Sequence, residues 1–217
     1  MKRLTKLANK YNTDKGTGYW YSHSFTDFYE PFFEKYENPT ILEIGTAEGS
    51  SAKMLNDFFD GECTIYTLDI NGNCAKNVEG YDNIHFFRVD CSSDEDINKF
   101  LNETVPGIDF DIIIEDGSHY WDHQMISLYF FSKRLKKNGV FVLEDLHTSI
   151  VDYAAGNRRE QSPLFYLNFF EGGIGLYDYE KEELTGRVKD VLVFNRYNEL
   201  NDTKFKNRSI TAIITFR

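Results

Sequence analysis

At 217 residues, with 41% apolar and 16% aromatic side chains, the chain is long enough to bury roughly 70% of its unfolded surface in one core, and its composition is not that of a disordered protein. A formal charge of −11 argues against a nucleic-acid partner, whose non-specific affinity comes from Lys and Arg displacing counter-ions, and suits an acidic soluble enzyme. Cys63, Cys74 and Cys91 show neither CxxC nor Cys/His spacing, the N-terminus has no apolar signal core, and no run approaches the ~18 apolar residues of a membrane span, so the expectation is a cytoplasmic protein without zinc, disulfides or a membrane partner.

In chain order, residues 1–39 carry two short helical candidates around "YNTDKGTGYWYSHS", whose Gly and Ser content marks a loop or lid attached to the same domain. Residues 40–217 read as one α/β domain. Five apolar runs, "TILEIG", "CTIYTLDI", "IHFFRVD", "FDIIIED" and "GVFVLED", have the length of strands buried on both faces. Helical candidates lie between them near 50–59, 72–78, 94–104 and 119–136, the last ending in "RLKKNG", with the basic residues and Asn-Gly of a helix C-terminus. The alternation predicts a Rossmann-like, mainly parallel sheet with helices on both faces. In the final third, "SPLFYLNFFEGG" predicts another helix, and "VKDVLVFNR" and "SITAIITF" a strand pair that completes a seven-stranded sheet with an antiparallel edge strand.

The segment "ILEIGTAEGSS" follows the first strand and opens a helix, where a Rossmann-like fold holds its cofactor. Its spacing, with Gly45, Ala47 and Gly49, is a poor match to the dinucleotide pattern GxGxxG. Charge also disfavours a pyrophosphate, which would meet Glu43 and Glu48 where the fold normally offers only N–H donors. S-adenosylmethionine (SAM) has a sulfonium, an ammonium and no phosphate, so Glu43 becomes an asset. Gly45, Thr46, Gly49 and Ser50 are then expected to form the cofactor loop, with Asp69 on the ribose hydroxyls, Asp90 on the adenine amino group and Asp116 also in contact. The bland alternative is that strand-terminal acids are solvated loop residues.

The fourth strand ends in Glu115-Asp116 and the fifth in Glu144-Asp145, and neighbouring parallel strands would bring these acids together. Asp116, Glu144 and Asp145 would be three crowded carboxylates, costly without a cation, and all-oxygen ligands select a hard ion such as Mg²⁺. Strand alternation lets only one of Glu115 and Asp116 face the ion, and the spacing to His119 favours Asp116. His119, on the turn that follows, can take a proton at working pH. His123 stands four residues on and is expected on the same helix face, which keeps a His/His/carboxylate transition-metal site as a rival. For His123 and His147 a structural role is the default.

"LANKYNTDKGT", "ILEIGTAEGSS", "IIEDGSHYWDHQ" and "FVLEDLHTS" stand in the order and spacing of a known family. Over residues 7–150 the chain resembles the metal-dependent SAM sugar O-methyltransferases of the macrolide type, in the class I methyltransferase superfamily. The resemblance implies Mg²⁺ ligation by Asp116, Glu144 and Asp145, a general base at His119, and Thr13, Asp14 and Lys15 closing over the cofactor. It also implies a vicinal diol on a small hydroxylated acceptor, expected here to be a sugar or a nucleotide-linked surface-polysaccharide precursor. Tyr19, Trp20, Tyr21, Tyr120 and Trp121 are candidates to stack on a sugar ring, to join the core or to line a homo-oligomer contact. Two alternatives stay open: another small polar acceptor, such as a phosphorylated or amine-bearing capsule building block, and a SAM-binding module without methyl transfer.

Overall fold

All five apolar runs form strands in the computed structural model, which describes residues 1–18, 22–150, 159–197 and 208–217. These are β1 (Thr40–Ile44), β2 (Thr64–Asp69), β3 (Ile84–Arg88), β4 (Phe110–Glu115) and β5 (Leu135–Leu143), paired in parallel. Together with β6 (Val188–Tyr197) and β7 (Arg208–Phe216) they make a seven-stranded sheet of order β3-β2-β1-β4-β5-β7-β6. The antiparallel strand is β7, which inserts between β5 and β6, so the edge itself is the outer member of the antiparallel pair. The order turns back between β1 and β4, and a crevice opens at the C-terminal strand ends at such a point.

Period-two alternation divides the strand residues between two core layers. Leu42, Ile44, Ile113, Phe141 and Leu143 face one side, packed with Met125, Leu128 and Phe131 of α5 (Trp121–Phe131). Ile41, Ile112, Ile114, Val140 and Val142 face the other, under α3 (Ser50–Phe58) and the two N-terminal helices, α1 (Arg3–Lys10) and α2 (Thr26–Phe33). Phe25, Tyr29 and Phe33 are fully buried there. At about 1.5–3 kcal/mol per buried large side chain, they fasten the N-terminal segment to the sheet.

The helix expected over 119–136 is shorter. It starts at Trp121, ends at Phe131 and gives way to a 3-10 turn, Ser132–Arg134. The "LKKN" that reads as a helix terminus already belongs to β5, where Asn138 adopts a left-handed conformation (φ 68°) and the register with β4 shifts between Phe110 and Ile112. Basic residues and Asn-Gly serve a strand irregularity as well as a helix end. The segment at 72–78 is 3-10 (Gly72–Asn77), and that at 94–104 is α4 (Asp94–Lys99) followed by a π turn, Phe100–Thr104. Ser162 caps α6 (Pro163–Phe169) by accepting from the Phe165 N–H at 3.2 Å, and α7 (Asp178–Arg187) is an additional, polar helix. No described helix is long and apolar enough to cross a membrane.

Candidate active site

The glycine loop leaves β1 through Gly45 (φ 97°) and enters α3 through Gly49 (φ 68°), conformations that favour glycine. A Cβ on Gly45 would also run into the Asp116 carbonyl. Gly45→Ala is therefore expected to abolish cofactor binding, with a fall in melting temperature, measured by calorimetry and thermal unfolding. The loop is braced from below. Asp69 accepts from the Ala47 N–H at 3.0 Å and from the Asn71 N–H at 2.8 Å, and the Thr46 and Thr67 hydroxyls bond at 2.8 Å. Asp69 thus shapes the loop and lines the adjoining cleft at once.

That cleft, of about 270 Å³, lies between the ends of β1, β2, β3 and β4, and Asp69, Asp90, Glu115 and Asp116 are on its wall. Asp90 accepts from the Ser92 hydroxyl (2.6 Å) and N–H (2.9 Å), bonds that hold its carboxyl below the usual range. A second cavity of about 260 Å³ continues past the glycine loop, with Thr13, Lys15, Thr46 and Ser50 on its wall and Gly45, Ala47 and Asp116 shared with the first. Of the expected cofactor residues, Gly45, Thr46, Ser50, Asp69, Asp90, Asp116, Thr13 and Lys15 border one cavity or the other, whereas Gly49 shapes the turn into α3.

Glu43 lies beneath the loop, fully buried, bordering neither cavity, with the Ser51 and Thr67 hydroxyls close enough to stabilise its charged form. Burial pushes its pKa up to about 7, against the pull of the Lys15 charge. The folded form therefore keeps a proton that the unfolded chain releases near pH 4.5. A raised carboxyl pKa gives stability that is present at low pH and lost as pH rises from the unfolded to the folded value. Between pH 4.5 and 8 the wild type is expected to lose roughly 3 kcal/mol relative to Glu43→Gln, measured by urea unfolding across that range.

The end of β4 separates its two acids as alternation requires. Glu115 is 1% exposed, at the floor of the first cleft, and is pushed up to about 7 by burial. Asp116, one residue on, faces Lys15. The Lys15 ammonium, 1% exposed, pairs with Asp116 Oδ2 and lies 2.7 Å from Glu144 Oε2. Its loop is clamped by backbone bonds between residues 14–16 and 23–26, among them His23 N–H to the Asp14 carbonyl (2.7 Å) and Thr26 N–H to the Lys15 carbonyl (3.1 Å). The cation that crowded carboxylates require is here, in part, a lysine that the sequence had placed over the cofactor.

Asp145, at the next position, sits among three imidazoles: His119 Nε2 at 3.4 Å, His147 Nδ1 at 3.5 Å and His23 Nε2 at 3.8 Å. Burial would raise its carboxyl, but the histidines hold it below the usual range. Burial likewise pulls His119 down, and the carboxylates of Asp145, Asp116 and Glu115 outweigh it and raise it. Asp116, His119 and Asp145 offer ligand atoms within 4.8 Å of one another, a spacing compatible with one metal ion. Glu144 Oε1, buried beside them, has no hydrogen-bond partner among the described residues. The group spaced for one ion thus contains two of the three expected carboxylates, Asp116 and Asp145, together with the His119 imidazole, whereas Glu144 pairs with Lys15; two carboxylate oxygens beside an imidazole are compatible with a divalent ion.

His119 does not share a helix face with His123. It precedes α5 in a left-handed conformation (φ 60°), and His123 Nδ1 instead bonds the Ser118 hydroxyl at 2.7 Å, on the wall of the first cleft. That geometry removes the His/His pairing on which the rival transition-metal site depended. Trp121 is core, 1% exposed, its indole N–H donating to the Thr148 carbonyl at 3.2 Å, whereas Tyr120 is 43% exposed. Tyr19, Trp20 and Tyr21 lie outside the described residues. Sequence reasoning missed His23, whose Nδ1 bonds Ser209 of β7 at 2.8 Å, and gave His147 no part beside Asp145. The "SHS" spelling held no signal, because only the tertiary fold carries residue 23 to residue 145.

A mainly parallel sheet with this order, a glycine turn after β1 and acids at successive strand ends define the Rossmann-like fold of the class I methyltransferases. No family model matches the chain. Among curated proteins it is 30% identical over 155 residues to mycinamicin VI 2''-O-methyltransferase of Micromonospora griseorubida, covering 67% of this chain and 36% of that one. It is 29% identical over 155 residues to the 8-demethyl-8-alpha-L-rhamnosyl tetracenomycin-C 2'-O-methyltransferase of Streptomyces olivaceus (67% and 38%). To demethylmacrocin O-methyltransferase of Streptomyces fradiae it is 30% identical over 157 residues (67% and 37%). The chain is thus a relative of the macrolide-type sugar O-methyltransferases, and it spans little more than a third of the length of these relatives. Of solved structures, MycE methyltransferase from the mycinamycin biosynthetic pathway, in complex with Mg and SAH, superposes with a TM-score of 0.72 at 22% identity, over 99% of this chain and 55% of that one. An O-methyltransferase from Bacillus cereus in complex with SAH gives 0.57 at 13% identity, over 98% and 90%.

Proposed function

We propose that the chain is a Mg²⁺-dependent SAM O-methyltransferase acting on a hydroxyl of a glycosylated small molecule or nucleotide-linked sugar, such as a surface-polysaccharide precursor. The observation that carries this reading is the convergence, in one crevice, of the glycine loop, two adjoining acid-lined cavities and a buried acid cluster with His119 beside it. SAM would supply a methyl group on a sulfonium, with its ribose on Asp69, its adenine toward Asp90 and its amino-acid end in the second cavity. Asp116, Glu144 and Asp145 would hold Mg²⁺, which lowers the pKa of a coordinated hydroxyl.

The protein's own part is to place and deprotonate the acceptor. The His119 imidazole accepts the hydroxyl proton, and Asp145, 3.4 Å from its Nε2, stabilises the resulting imidazolium. Gln124, donating to the Glu144 carbonyl at 2.8 Å, fixes the end of β5, and the exposed Tyr120 ring offers an apolar face to a sugar. Cytoplasmic placement and a homo-oligomer belong to the same reading.

Calorimetry with S-adenosylhomocysteine (SAH) and with NAD tests the cofactor. SAH is expected to bind and NAD not to, and the reverse would overturn the reading. The Lys15 ion pairs favour a second reading, a SAM-binding module whose acids need no metal. EDTA-insensitive SAH binding without methyl transfer to any sugar would select it.

A further inference from the structure

Lys15 has two places for one charge. Its ammonium lies between Asp116 and Glu144, contacting an oxygen of each, where a divalent ion would need the same carboxylates. Lys15 also lines the second cavity, where it is the one cation among the described lining residues; the others are neutral or, like Asp14, Glu48 and Asp116, acidic. A ligand with a carboxylate entering that cavity has, among the described residues, Lys15 as its one basic partner. That partner is already committed to the acids next door.

We propose that Lys15 couples cofactor to metal: it keeps the acid cluster neutralised until the cofactor's carboxylate draws its ammonium into the second cavity, freeing Asp116 and Glu144 for Mg²⁺. The proposal rests on the SAM and Mg²⁺ reading above. Two cations held against the same two carboxylates repel each other at close range, so the ion and the Lys15 ammonium compete for Asp116 and Glu144. A cofactor carboxylate interacts with Lys15 only in the outward position, which is the differential affinity that a population shift requires. Loop anchoring makes the exchange a side-chain movement, because the Lys15 backbone stays clamped by Thr26.

The test is calorimetric titration of the chelator-treated full chain with Mg²⁺, alone, with SAH, and with 5′-methylthioadenosine, which has the adenosine and thioether but no carboxylate. SAH is expected to tighten Mg²⁺ about tenfold, and Mg²⁺ to tighten SAH by the same factor, as linkage demands. Methylthioadenosine is expected to leave Mg²⁺ affinity within about twofold. Lys15→Met should bind Mg²⁺ about tenfold more tightly than wild type without cofactor and no longer respond to SAH, whereas Lys15→Arg should retain the response. Equal effects of SAH and methylthioadenosine, or coupling that survives in Lys15→Met, would overturn the proposal. If Lys15→Met does not fold, the two wild-type cofactor arms decide alone. Binding of both Mg²⁺ and SAH without coupling overturns this inference only; binding of neither overturns the functional reading with it.

Discussion

His119→Ala is expected to lower methyl transfer by about 10²–10⁴-fold while SAH affinity stays near wild type. The imidazole borders neither cavity assigned to the cofactor and stands beside Asp145 instead, so its loss removes a proton acceptor without removing a cofactor contact. Because His119 has a positive φ, alanine there adds backbone strain of its own. His119→Asn controls for this, since Asn tolerates the left-handed region and has no basic nitrogen. Both variants should show the same loss of turnover at full SAH occupancy. Turnover within a few-fold of wild type in either would remove His119 from the role of base.

Lys15→Met is expected to cost about 3–5 kcal/mol of stability in the absence of metal, the loss typical of removing one partner from a buried ion pair. Asp116 and Glu144 would be left facing each other and Asp145 with no ammonium between them, in a site where burial already raises Glu144 well above the usual carboxylate range. Denaturant unfolding measures the effect. Saturating Mg²⁺ is expected to recover most of it, because an ion that binds only the folded state adds stability by mass action. A Lys15→Met protein as stable as wild type without metal would show that the ammonium is not what holds the cluster together.

The sheet was legible because each strand is an unbroken apolar run, and only burial on both faces tolerates "DIIIED" or "GVFVLED". The acids were legible because they interrupt those runs at the point where the chain emerges into the crevice, and alternation separated Asp116 from Glu115, which proves to be buried. Less was legible where one residue type serves two purposes. The basic "RLKKNG" satisfies a helix C-terminus and a strand irregularity equally well, and here the strand takes it. α7 escaped notice because "DYEKEELTGR" buries little more than Glu180 and Leu184, leaving almost no apolar stripe. The inner ring of the site was the least legible. Lys15 and His23 reach Asp116, Glu144 and Asp145 from more than 100 residues away in sequence, through the packing of Phe25, Tyr29 and Phe33 that folds the N-terminal segment onto the sheet.

Methyl transfer from SAM to a sugar hydroxyl, with help from a divalent ion, is the reaction we propose for this chain. Product mass spectrometry tests it most directly, on the full chain incubated with SAM and a panel of rhamnosyl and deoxysugar glycosides and nucleotide sugars, with Mg²⁺ or with EDTA. A product heavier by one methylene, formed with Mg²⁺ and lost with EDTA, is the predicted result; methylation undiminished by EDTA, or none on any vicinal-diol acceptor despite SAM binding, would contradict it.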